Sequence, residues 1–252
     1  AMSLPSEVTH RTRRSRTGFW LIMGLGVLLV ALFCALGVWQ VERLAWKRDL
    51  IATVDARLAA PAVPAPAPAA WPQINQTDDR YRKVTVTGQF RHDAEVLVQA
   101  VTELGGGFWV MTPLVTPQGT WLINRGFVPA DRRDPGTRAA GQIDGTVTVT
   151  GLMRMTEPDG AFLRANAPDE GRWYSRDVAA IAQTVGTPLA PAFIDADATP
   201  NPGGLPVGGL TVVAFRNSHL SYALTWFALA LGTIAGLVIL VRQDRAHRLA
   251  RP

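Results

Sequence analysis

His219 stands where a polar segment, Arg216-Asn217-Ser218, meets 22 residues without a charge, Leu220 to Val241. On a helix the positions i, i+3, i+4 and i+7 share a face, which groups His219 with Tyr222, Ala223 and Trp226. An imidazole at the edge of an apolar phase, beside a small residue and two flat rings, suits an axial ligand with room for a porphyrin. The same residues also suit a helix that His219 caps or anchors by hydrogen bonding, with Tyr222 and Trp226 as an aromatic belt. Spacing leaves both readings open.

Two apolar runs must position that face. The first, Phe19 to Val38, has 20 residues and continues into the aromatic and charged segment Trp39 to Arg48. It is too long for the ~7–15-residue core of a cleaved signal peptide. The second is Leu220 to Val241. Either is long enough to cross a hydrocarbon core of ~30 Å as a helix. Arg11, Arg13, Arg14 and Arg16 precede the first run, and Arg242, Arg245, Arg248 and Arg251 follow the second. Set against Glu7 and Asp244, each tail is +3, and the middle is −1 with 17 basic and 18 acidic residues. Basic charge confined to tails beside apolar spans is the pattern of membrane orientation, and it excludes a nucleic-acid surface. Both termini are expected on the cytoplasmic side. The expected layout is a tail (1–18), a first span with its extension (19–48), an outer domain (49–217), a second span (218–241) and a tail (242–252).

A hairpin of two spans brings the outer end of one beside the outer end of the other. Trp39, Gln40 and Arg43 should therefore lie level with Arg216, Asn217 and His219. Arg43 and Arg216 could meet carboxylates such as haem propionates, or lipid phosphates. Ala31-x-x-x-Ala35 and Gly232-x-x-x-Gly236 offer small-residue faces for close contact with each other or with a partner protein.

The middle of the chain reads as strands. The pattern predicts them at Lys83–Phe90, Glu95–Val101, Phe108–Thr116, Trp121–Val128, Thr146–Met153, Ala192–Asp195 and Leu210–Phe215, with a hairpin turn at Pro117-Gln118-Gly119. Helical spacing occurs at Ser175–Val185. Residues 59–72 form a Pro/Ala tract, either a stiff linker or a crossing over a surface. The expected fold is two transmembrane helices flanking an extracytoplasmic, mostly antiparallel β (α+β) domain.

Enzyme signatures are absent. There is no GxSxG, Walker loop or HExxH. The only cysteine, Cys34, lies inside the first apolar run, so no disulfide or CxxC site can form within the chain. Gly105-Gly106-Gly107 reads as a turn, and Asp195 and Asp197 as solvated strand-end and loop carboxylates. His92 falls in a turn beside Asp93, with no ligand partner at a recognisable spacing.

Four motifs resemble the surfeit-locus protein one family of cytochrome c oxidase assembly factors. They are Gly37-Val38-Trp39-Gln40 continuing through Arg43 to Trp46-Lys47, then Gly107 to Leu114 (GFWVMTPL), then Ile123 to Pro129 (INRGFVP), and Arg216 to Phe227 (RNSHLSYALTWF). They stand in family order between two spans. Ser218 replaces the family's usual second asparagine, and Phe127 its usual tryptophan. The resemblance implies a non-enzymatic membrane protein that binds haem a and helps to insert it into oxidase subunit I, with haem a synthesis proteins as further partners. It carries the ligand role to His219, with Tyr222, Trp226, Trp39 and Gln40 nearby. For Arg125, in an expected strand-end turn, a structural salt bridge and a ligand contact are both open. A bacterial cell inner membrane is the expected location, with a mitochondrial inner membrane as the alternative.

Overall fold

The computed structural model describes residues 16–213 and 218–249. The chain divides into two compact units, one of Ala52–Ala214 and one formed by Ala1–Ile51 with Phe215–Pro252.

The terminal unit is helical. Helix α1 runs Arg16–Ala59, beyond the expected extension at Arg48, and its last residues belong to the other unit. The only other helix of this unit, among the described residues, is His219–Leu249 (α4). Both are long and apolar enough to cross a membrane. Each lacks one apolar stripe, as expected of a helix whose surroundings are apolar on most sides. Their contact is built from small residues. A Cβ on Gly26 would lie 2.4 Å from Leu237 Cδ2, and one on Gly37 would lie 2.6 Å from Phe227 Cε1. Ala223 and Ala230 are buried on the opposite helix, and Phe33 stacks on Trp226 at 5.9 Å. Close approach of this kind is how apolar helices associate where burial from water supplies no drive. Gly232 and Gly236 have nothing within 4 Å, and Ala31 and Ala35 are exposed. Of the two expectations for those faces, contact with each other is not made; Gly26 and Gly37 serve instead.

The second unit is a seven-stranded sheet. Its strands are β1 (Val63–Pro64), β2 (Lys83–Phe90), β3 (Val96–Thr102), β4 (Gly105–Thr116), β5 (Gly119–Pro129), β6 (Thr146–Met155) and β7 (Ala192–Ala196). The order is β1-β2-β6-β7-β5-β4-β3, and a further β2–β4 pairing joins strands 2, 6, 7, 5 and 4 into a closed ring. Pairing is antiparallel except at β1–β2 and β5–β7. All five ring strands supply one apolar cluster: Val84, Leu114, Ile123, Met153 and Ile194 are wholly buried in it. The outer faces of β3, β4, β5 and β7 carry a second cluster, covered by Val178 and Ile181 of helix α3 (Val178–Val185). Asp177 caps α3 by accepting from Ala180 N–H, and Gly186 closes it in the left-handed region. A single turn, α2 (Gln76–Asp79), precedes β2 and is capped by Asn75, which accepts from Asp78 N–H.

The Pro/Ala tract crosses the core. Val63, Ala65 and Trp71 pack on the ring cluster, with Trp71 edge-on to Trp121 at 6.0 Å. The three glycines 105–107 are strand, not turn: Gly107 pairs with Ala100, and a Cβ there would lie 2.1 Å from Val128 O. Residues 210–213 form no strand, and the rest of that expected segment lies outside the described residues.

Candidate functional site

His219 opens α4, and Tyr222 N–H already donates to Ser218 O. Its Nδ1–H donates to Gln40 Oε1 of α1 at 2.9 Å. Gln40 is buried, so its carbonyl holds the imidazole in one orientation. A ring with Nδ1 protonated and engaged presents Nε2 as a bare lone pair. That is the tautomer and second-shell support that metal-bound histidines use. The donor set at this point therefore fits an iron ligand.

The other expected site residues divide. Trp226 stacks on Phe33, one turn or more deeper than His219. Tyr222 and Trp39 turn outward, 56% and 54% exposed. Arg43 is exposed and lies over the Trp46 ring at 4.6 Å. Ala223 is 2% exposed, so the gap expected beside His219 is filled. Arg216 lies outside the described residues, as does Asn217.

A second set of polar side chains sits in the β unit, where Asn124-Arg125-Gly126 lies inside β5 and not in a turn. Asn124 Nδ2 donates to Asp195 Oδ1 at 2.8 Å, and its own Oδ1 accepts Gly126 N–H. Asp195 also accepts from Arg154 (2.8 Å), Arg176 (3.2 Å) and Thr211 (2.8 Å). It is 3% exposed, so the expected solvated carboxylate is a buried hub joining β5, β6 and β7. Burial pushes the Glu157 carboxyl up, but hydrogen bonds and charge from Arg176 outweigh this and hold it below the usual range. Burial also lowers Arg176, yet Asp195 and Glu157 more than compensate and raise it. Gly126 has φ +131°, and a Cβ there would lie 2.2 Å from Val207 O. Only glycine admits the bridge that Phe127 makes to Val207 through two backbone hydrogen bonds.

Arg125 points to the opposite face of β5 and is buried, where the sequence pattern predicts a strand-end turn. It is 2% exposed, stacked on the Phe90 ring at 4.7 Å, and donates from Nη2 to Gly141 O and Asn201 Oδ1. It has no ion pair among the described residues, so the expected salt bridge is not made. Among these residues no group of three or more His, Cys, Asp or Glu is placed to hold a metal ion.

A model of the SURF1 family matches residues 27–231. A SURF1-like protein of Monosiga brevicollis is 38% identical over 260 residues, covering 96% of this chain and 94% of its own length. The surfeit locus protein 1 of Homo sapiens is 39% identical over 216 residues, covering 79% of this chain and 70% of that protein. The Gallus gallus protein of the same name is 35% identical, covering 91% and 78%.

Proposed function

We propose, from the premise that this chain belongs to the SURF1 family, that it is a non-enzymatic membrane factor in the assembly of cytochrome c oxidase. In this reading it lies in a bacterial cell inner membrane with both termini cytoplasmic. The helical unit presents His219 to haem a, subunit I receives the haem, and haem a synthesis proteins supply it. The single observation that supports this reading is the His219–Gln40 hydrogen bond, which frees Nε2 and fixes the ring. His219 would hold the iron and Gln40 would position His219. When bound, the haem supplies the redox-active iron that the oxidase uses.

The test is spectral. The full chain is expressed with haem a synthesis, purified in detergent and compared with His219→Ala. The reading expects haem in the wild type and a changed spectrum with reduced occupancy in the variant. A haem-free wild type, or a variant with unchanged spectrum and occupancy, overturns the ligand role. A second reading, an oxidase-docking scaffold that does not bind haem, is favoured by the closed packing at Ala223. Co-purification of oxidase subunits that survives loss of His219, from haem-free protein, would select it.

A further inference from the structure

The charged groups nearest the Arg125 guanidinium hold more positive than negative charge, and all are buried. Arg138 and Glu95 form a bidentate ion pair with side chains only 1% and 5% exposed. Arg125 is close enough for Glu95 to act on its charge, yet Glu95 is committed to Arg138. Two buried guanidinium groups thus share one carboxylate. Leaving a buried cation short of an anion is among the costliest arrangements in a folded protein.

The unpartnered polar atoms gather in the same neighbourhood. Among the described residues four buried side-chain atoms have no hydrogen-bond partner: Arg125 Nη1, Thr112 Oγ1, His92 Nδ1 and Gln142 Oε1. Thr112 pairs with Ile123, two residues before Arg125, so alternation puts Thr112 and Arg125 on one face of the sheet. Phe90 touches both the Arg125 guanidinium and the His92 ring. Gln142 lies between Gly141, whose carbonyl accepts from Arg125, and Ile143, whose carbonyl accepts from His92 Nε2. Native interiors rarely leave buried polar atoms unsatisfied. Two of the four, Arg125 Nη1 and the Thr112 hydroxyl, are donors suited to an anion; Gln142 Oε1 and the Nδ1 of a neutral His92, whose Nε2 donates to Ile143, are acceptors and call for a donor instead. Burial lowers the pKa of Arg125 to about 10, although Glu95 opposes the shift, as expected where negative charge is insufficient.

We propose that Arg125 Nη1–H and the Thr112 hydroxyl are the donors of a site for one carboxylate group. A single negative charge balances Arg125, Arg138 and Glu95 together. His92 and Glu95 also line an open cleft of about 540 Å³, where Asp134 and Asp93, the latter paired with Arg91, stand beside Arg133; Arg125 and Thr112 do not line it. The buried groups lack one negative charge and not two, which selects a carboxylate over a phosphate dianion.

The full chain in detergent is unfolded thermally in sodium formate and in sodium chloride at equal ionic strength. Formate should raise the midpoint of the β unit by several degrees in a saturable way, and Arg125→Met should abolish the rise. Thr112→Val, which keeps the shape and removes one donor, should weaken formate at least threefold and keeps the test open if Arg125→Met fails to fold. Acetyl-glycylglycine separates the sources: a response to it as well points to a polypeptide carboxylate, and a response to formate alone points to a small free acid. Equal midpoints in formate and chloride, or a formate effect unchanged in Thr112→Val, overturn the proposal.

Discussion

Gln40→Leu removes the acceptor that orients His219 while keeping a side chain of similar size. The bond is a neutral one of 2.9 Å in a partly buried setting. Its loss costs about 1 kcal/mol, and the stranded Nδ1–H adds about 1–3 kcal/mol if no water reaches it. In a metal-binding histidine the same loss lowers ring basicity and frees the tautomer, and typically weakens binding by about 10–100-fold. At about 1.4 kcal/mol per factor of ten, that weakening is about 1.4–2.8 kcal/mol of binding free energy, separate from the cost to stability. Haem titration of the full chain, followed in the Soret band, should show this loss in Gln40→Leu and a much smaller one in Gln40→Glu, which retains an acceptor. Nitrogen NMR of the imidazole gives a readout that needs no haem. Nδ1 should be the protonated nitrogen in the wild type, and this preference should weaken in Gln40→Leu. Haem affinity within twofold of wild type, together with an unchanged tautomer, would falsify the positioning role of Gln40.

In the β unit, Asp195→Ala should lower stability by about 3 kcal/mol, because it takes the carboxylate from Arg154 and leaves Arg176 only Glu157, both side chains being largely withdrawn from solvent. Chemical denaturation checks this, with Asp244→Ala, half of an exposed i,i+4 pair in α4, as a control expected to change little. Gly126→Ala meets both a left-handed φ and the Val207 carbonyl and should cost at least about 1–3 kcal/mol, whereas Gly106→Ala, with nothing within 4 Å, should stay within about 0.5 kcal/mol. Glu157 has a lowered folded pKa, so its stabilising contribution is present above the ordinary glutamate range and is lost as pH falls through the folded value. The thermal midpoint should therefore drop on acidification below about pH 4.5, and Glu157→Gln should flatten that drop.

How far local pattern reaches is clearest from what surrounds each strand. β2 alternates between buried and more open positions, and its expected bounds, Lys83–Phe90, match the observed ones. β5 is flanked by β4 and β7 and covered on both faces, so every residue from Thr120 to Val128 is buried. With no period-2 signal, its Arg125-Gly126 pair read as a turn. β1 was illegible for another reason: two residues in a Pro/Ala tract become a strand only because β2 offers a free edge beside them. The meeting of Gln40 and His219 could be anticipated, since an antiparallel hairpin fixes which helix ends are level. The contacting faces could not, because Gly26 and Gly37 are 11 residues apart, about three turns, and show no four-residue repeat.

The charged groups teach a sharper lesson. Asp195 is joined to Asn124 across 71 positions and to Arg154 across 41, so no local spacing could reveal the hub. A different signal was available: Asp195 interrupts Ala192-Phe193-Ile194, and Arg125 interrupts Trp121-Leu122-Ile123 and Phe127-Val128. A charge inside a run apolar on both sides must be buried, and burial obliges it to find partners elsewhere in the chain or beyond it. Asp195 has four such partners within the domain. Arg125 has backbone and amide acceptors but, among the described residues, no carboxylate, and on that difference rests the proposal that one buried charge serves structure and the other binding.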